Sequence, residues 1–186
     1  MARWCNSSTS QHLLLLLFVA ILSSFQTFEA SKEPKLSNLQ FYMHDIVIGP
    51  NPTAIRVAPS QPLNFSWTDP IAAMFGSIYV IDDPLTATPD PKSTVVGRAQ
   101  GIYAMTSLGH EFSLLMTLTY SFISGPYNGS SISVVGRNPV MRDVREMPII
   151  GGTGVFQLAR GYCLAHTHSS DGADAVIWYN VTVLHY

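Results

Sequence analysis

Three side chains of this sequence combine a proton-handling group with apolar or small neighbours: Asp45, Tyr103 and Thr167. Their company follows from period-two alternation, the mark of a strand whose successive side chains point to opposite faces. In FYMHDIV, Asp45 shares a face with Phe41, Met43 and Val47. A carboxylate on such a face is costly unless it is paired or kept for chemistry. In VVGRAQGIYA, Tyr103 lies with Gly97, Ala99 and Gly101; in VFQLARGYCLAHT, Thr167 lies with Ala159, Gly161, Cys163 and Ala165. Faces made of Gly and Ala and ended by a hydroxyl suggest a cavity and not a filled core. Singly, each residue is most simply a satisfied buried polar group. Together they predict a pocket.

Other chemistry-bearing patterns are weaker. His166 and His168 point the same way on a strand, as in cupin-type metal sites, but a metal needs a third and usually a fourth ligand. Only Asp171 and Asp174 follow closely, in the turn-like SSDGAD, so a surface pair is the plainer explanation and no metal is expected. His44 falls on the face opposite Asp45, which argues against a His–Asp dyad between these neighbours. Gly151, Gly152 and Gly154 resemble a phosphate loop until the following VFQLARGYCLAHTH is seen to alternate like a strand. A phosphate loop needs the helix N-terminus that is missing there. The cluster reads as a turn or bulge entering a strand. Asp82-Asp83 before Pro84 reads as a strand-ending turn, with Asp82 kept as a secondary pocket candidate. There is no nucleophile elbow and no flavin or nicotinamide fingerprint, so no cofactor is expected.

Strands must position these groups. EFSLLMTLTYSF sets Phe112, Leu114, Met116, Leu118, Tyr120 and Phe122 on one face, and SSISVVGRN returns across the turn Gly125–Gly129 as a hairpin. LQFYMHDIVI, AIRVA, FGSIYVID, VVGRAQGIYAM, VFQLARGYCLAHT and AVIWYNVTVLHY complete about eight strands, with no convincing helical period. The class is all-β: a sandwich or a closed antiparallel barrel, the barrel favoured because it removes long apolar edges. Residues 59–74, with Pro59, Pro62 and Pro70, read as a long loop of the kind used as lids.

The chain's ends and charges bound its setting. Arg3 leads the N-terminal region, and Leu13 to Leu22 form an apolar run too short to cross a bilayer but suited to a secretory signal. Cleavage after Ala30 or Ser24 would release a polar lead, residues 31–38, followed by a domain over 39–186. Loss of residues 1–30 removes Arg3 and Glu29 together, so the net charge stays −2. No basic stripe exists, which argues against nucleic acid. Cys5 leaves with the signal, and Cys163 alone cannot form an internal disulfide. In its alternating strand it reads as a small buried hydrophobe. Asn64, Asn128 and Asn180 open N-x-S/T sequons; Asn128, in the turn-like SGPYNGS, suits glycosylation best.

The blocks FYMHDI, IDDPLT, VGRAQGIY, GPYNGSSISVVGRN and VREMPIIGGTGVFQLARGY, in that order, resemble the plant dirigent protein family from about Leu39 to Tyr186. The resemblance implies an eight-stranded antiparallel β-barrel related in fold to allene oxide cyclase, usually trimeric although a dimer is possible, glycosylated and secreted to the apoplast. It implies no cofactor. A separate laccase or peroxidase makes phenoxy radicals from a phenolic such as coniferyl alcohol, and the barrel orients them so that coupling gives one lignan stereoisomer. The implied catalytic residues are Asp45, Tyr103, Arg145 and Thr167. One departure is Asn138 in GRNP, where lignan-forming members tend to carry an acid. That brings the chain nearer pterocarpan synthases, which dehydrate and cyclise an isoflavanol through a quinone methide, and makes Asn138 a secondary pocket candidate. A wall or defence protein that binds phenolics or glycans without turnover is a third possibility.

Overall fold

The computed structural model describes residues 33–60 and 70–186, together with His12 and Phe18. Met1–Glu33 and Pro34–Tyr186 form separate units. The second unit holds β1 (Lys35–Asp45), β2 (Ala54–Ala58), a one-turn helix α1 (Pro70–Met74), β3 (Ile78–Thr86), β4 (Val95–Met105), β5 (Leu114–Phe122), β6 (Ser131–Asn138), β7 (Arg145–Thr153), β8 (Arg160–Asp171) and β9 (Asp174–His185). All pairings are antiparallel, in the order β1-β9-β8-β7-β6-β5-β4-β3-β2. The sheet closes on itself where β1 meets the second half of β3, through Tyr42↔Thr86 and Met43↔Leu85. The result is a closed eight-stranded antiparallel β-barrel, with β2 added alongside the first half of β3.

Alternation fills the interior. On β5, Leu114, Met116, Leu118, Tyr120 and Phe122 are all buried, as their period predicts. At mid-barrel, Phe41, Tyr120 and Tyr179 pack ring to ring at centroid distances of 5.2 to 5.5 Å. Phe122 and Phe156 extend that layer toward His185, whose ring lies 5.2 Å from Phe156. One half of the barrel is therefore plugged by aromatic rings, and a cavity lies in the other.

The sequence expectations differ from the structure at four places. The MRDVRE stretch, which has no clear period, leads into a full strand, β7, and carries Gly151 and Gly152 at its far end. Ser133 pairs with Gly151 and Val134 with Ile149, so Ile150 is an extra residue bulged out of the ladder. Val155 and Phe156 lie in a 3₁₀ turn that begins at Gly154, φ +62°, and strand β8 starts only at Arg160. At the front, β1 begins at Lys35, inside the polar lead, because Ser37 and Asn38 pair with Val183 and Thr182 of β9. In the 59–74 segment, α1 is short and helical, while residues 61–69 lie outside the described residues, as does the Asn64 sequon.

The small residues also act differently from the expectation that they open a cavity. A Cβ on Gly101 would stand 2.1 Å from the Thr117 carbonyl oxygen, and one on Gly161 2.1 Å from that of Thr182. Both glycines have positive φ, +151° and +156°. They let neighbouring strands coil tightly around the barrel, so their absent side chains are filled by backbone.

Candidate functional site

One mouth of the barrel is framed by the C-terminal ends of β1, β4, β6 and β8 and the N-terminal ends of β3, β5, β7 and β9. Inside it lies a cavity of about 360 Å³, within the size range of small-molecule sites. Asp45, Tyr103, Arg145, Thr167 and Asn138 all line it. Three came from strand parity and two from the family resemblance, and the fold brings the five together.

Asp45 is the last residue of β1 and is drawn inward by the alternation that buries Phe41 and Met43. The Tyr103 hydroxyl, two residues from the end of β4, donates a hydrogen bond to its carboxylate. The other oxygen, Oδ1, is buried without a partner. Burial, offset partly by the Tyr103 hydrogen bond and reinforced by the Asp174 charge, pushes Asp45 up to about 6. Asp174 is close because its carboxylate accepts from the backbone N–H groups of Val47, at 2.8 Å, and Ile48, at 2.9 Å. Burial and the Asp45 charge push the Tyr103 phenol upward, so it stays a proton donor.

Arg145, the first residue of β7, is only 2% exposed. Its Nη1 donates to Thr167 Oγ1 at 2.6 Å and to the Val140 carbonyl at 3.1 Å, while Nε is buried without a partner. No carboxylate forms an ion pair with it among the described residues. Burial lowers its affinity for the proton, yet guanidinium remains charged at any ordinary pH. A buried cation held by two neutral oxygens has unspent donor capacity, suited to an oxyanion. Asn138, closing β6, adds a buried amide oxygen with no partner.

The wall is apolar and adaptable. Met43, Met74, Met105 and Met116 line it with Phe112 and Ile177, and Tyr79 stacks on Tyr103 at 4.9 Å and 19°. Thioether side chains re-pack around aromatic faces at low cost. An aromatic ring system bearing phenolic oxygens would meet hydrophobic walls, an acid–phenol pair and a cation.

Two expectations need correction. Asp82 is not in the pocket: it points outward, with its side chain 53% exposed, and pairs with Arg98. Nor is Asp82-Asp83 a turn, since both lie within β3, paired with Gln100 and Ala99. Parity in IYVIDDPLT places Ile81, Asp83 and Leu85 inside together, and Asp83 is fully buried. Pro84 reads as a strand end and hid that pattern, although its lack of an N–H leaves the β4 pairing intact, because backbone donors at this parity of β3 point away from β4, as the Asp82 N–H does toward Thr53.

Elsewhere three histidines are engaged. A bulge between Thr167 and Ser169 keeps Thr167 at the cavity, while His166 packs on Trp178 and His168 meets Tyr42 edge-on. No group of three or more His, Cys, Asp or Glu able to hold a metal occurs among the described residues. His44 hydrogen-bonds Thr86 Oγ1 at 2.7 Å on the side away from Asp45. Cys163 is a free, buried thiol pushed up to about 12 by burial. Asn128 is exposed beside its 3₁₀ turn, and Asn180 lies between inward Tyr179 and Val181, so its side chain faces out.

These features define a class: a closed eight-stranded antiparallel barrel with an acid–phenol–guanidinium pocket at one mouth. The family model for dirigent-like proteins matches residues 36–184, and the chain belongs to that family. It is 46% identical to dirigent protein 23 of Arabidopsis thaliana over 84% of this chain and 82% of that one. It is 42% identical to pterocarpan synthase 1 of Glycine max over 93% and 94% respectively. Among solved structures, a pterocarpan synthase dirigent protein superposes with a TM-score of 0.75 at 43% identity, covering 84% of this chain and 88% of that one.

Proposed function

We propose that this protein is a secreted stereochemical guide for phenolic substrates, acting where a quinone methide is formed or consumed. The observation that carries the reading is Arg145: a buried guanidinium without an acidic partner among the described residues, sharing a cavity with the protonatable Asp45–Tyr103 pair. Phenoxy radicals supplied by a separate laccase or peroxidase would enter the apolar cavity and join carbon to carbon. Orientation alone then selects one face for bond formation, because the walls hold the rings in one geometry. Arg145 would stabilise the phenolate or quinone-methide oxygen, and Asp45 would supply the proton that this oxygen gains as the side-chain hydroxyl adds, and take back the proton that the hydroxyl loses. In this setting the protein leaves the cell by its N-terminal signal, carries glycans at Asn128 and Asn180, and assembles as a trimer.

A second reading is a closed-shell dehydration of the pterocarpan type, and Asn138 favours it. A neutral amide stands where an acid would serve as an additional proton source in lignan closure. The same Asp45 would then protonate a departing hydroxyl while Arg145 holds the phenolate from which the quinone methide forms.

One pair of assays decides. Coniferyl alcohol is supplied with a laccase, and an isoflavanol is supplied with no oxidant; products are resolved by chiral chromatography. An excess of one lignan enantiomer supports the first reading. Racemic lignan beside optically pure pterocarpan moves the function to the second, and no effect in either leaves phenolic binding without turnover. Asp45→Ala removes a general acid, a loss of roughly 10²–10⁴ in rate, so an unchanged product ratio would place the chemistry elsewhere.

A further inference from the structure

The seam that closes the barrel carries a second acid. The β1–β3 ladder runs through Tyr42↔Thr86 and Met43↔Leu85 and then stops. One step on, Pro84 has no N–H to offer β1. Further along β3, the Asp82 N–H is taken up instead by the Thr53 carbonyl at 2.9 Å, ahead of β2. Continuing the register by two residues sets Asp45 opposite Asp83, both on the inner face, where the strands have parted. Asp83 is fully buried, and neither of its carboxyl oxygens has a hydrogen-bond partner. The Thr53 hydroxyl eases its burial, yet that group donates to the His44 carbonyl and accepts from the Ile46 N–H. On its other side Asp83 faces Ala99, whose methyl offers no polar atom.

We propose that Asp83 is the positioning partner of Asp45: the two carboxyls face each other across the parted β1–β3 seam and hold one proton between them. This rests on Asp45 being the pocket acid of the function proposed above. Two adjacent carboxylates in one buried place cannot both ionise cheaply. Asp83, which does not line the cavity, keeps that shared proton, and Asp45, the partner that ionises first, takes up and gives back a second proton at the substrate. The groups that act on the pair are few. Asp174 acts on Asp45 from β9, and Tyr103 touches it from β4. Asp83 is influenced by Asp45 and by the outward Asp82 and Arg98, and its charge is felt by Tyr103, Tyr120 and Tyr179.

The test is a ¹³C NMR titration of the aspartate carboxyls in the full, ligand-free protein, with wild type, Asp45→Asn and Asp83→Asn. Coupled steps are expected near the values of about 6 for Asp45 and about 8 for Asp83. Asp45→Asn removes the lower step and moves the upper one down by about one pH unit, because the neighbouring charge is gone. An upper step unmoved in Asp45→Asn overturns the dyad, and this variant leaves Asp83 itself untouched if Asp83→Asn fails to fold. A second readout is the pH profile of product formation. Wild type should fall in two limbs, and Asp83→Asn should keep the lower and lack the upper. Complete loss of activity in a folded Asp83→Asn would make Asp83 act directly on substrate and overturn the positioning role. Should neither substrate be turned over, the function fails while the titration still decides the dyad.

Discussion

Asp83 enters the folded barrel as a neutral acid, since burial first and the Asp45 charge second push it up to about 8. That makes stability depend on pH in one direction. Well below pH 4 the carboxyl is protonated in both folded and unfolded chains and contributes nothing. As pH rises the unfolded chain ionises freely near its ordinary value, whereas the folded one must hold its proton or bear a buried charge. The native state is therefore destabilised progressively between about pH 4 and pH 8, and by a constant amount above. At about 1.4 kcal/mol per unit the full effect is on the order of 5 kcal/mol for a group so buried. Asp83→Asn, which keeps the shape and drops the charge, should gain on wild type in Tm as pH goes from 4.5 to 8. A Tm difference that does not change with pH would show that Asp83 ionises freely in the folded protein. Asp45 and Asp83 also differ in how legible they were. Parity on an unbroken FYMHDIV exposed Asp45 at once, whereas Pro84 broke the pattern that carries Asp83 inside.

Glycine positions show what periodicity conveys about an element and what it leaves out. Alternation located nearly every strand and put the right faces inside, because burial of one face is what selects a period of two. It missed β7, in which Arg145, Met147 and Ile149 are buried but Pro148 and the bulge at Ile150 interrupt the reading. It also could not say whether a glycine leaves room or yields it to backbone, since that depends on how tightly two strands coil. Gly101 and Gly151 make the contrast measurable. Gly101 combines φ +151° with a carbonyl oxygen 2.1 Å from where its Cβ would stand, whereas Gly151 has nothing within 4 Å and an ordinary backbone. Gly101→Ala should cost about 2–4 kcal/mol through strain and displacement of β5. Gly151→Ala should stay within about 0.5 kcal/mol of wild type. Denaturant midpoints compare the two directly, and equal midpoints would mean that the barrel coils less tightly at β4–β5 than described.

At the scale of the molecule, closure removes sheet edges except where β2 is laid against β3, and its outer edge ends the strand order. The outer face there is unusually apolar. Ile55 stands opposite Val80, and Val80 opposite Ile102, so three aliphatic side chains form a row across β2, β3 and β4. They are 58%, 45% and 41% exposed, with Val57 on the same strand as Ile55 and 58% exposed. Beside the row, the outward Asp82–Arg98 pair adds charge of both signs. An apolar row rimmed by polar residues and next to a free strand edge is the kind of surface that copies of a chain cover. This is the face on which the proposed trimer would assemble, and it shares strand β3 with Asp83. Burying it would hold β3 in place, which ties assembly to the geometry of the pocket. Light scattering coupled to size exclusion should give the mass of a trimer for wild type. Val80→Lys, which sets a charge at the centre of the row, should give a monomer with a lower Tm and a weaker enantiomeric excess. A monomer with undiminished selectivity would separate assembly from function. An unchanged mass in both Val80→Lys and Ile102→Lys would move the interface to another face of the barrel.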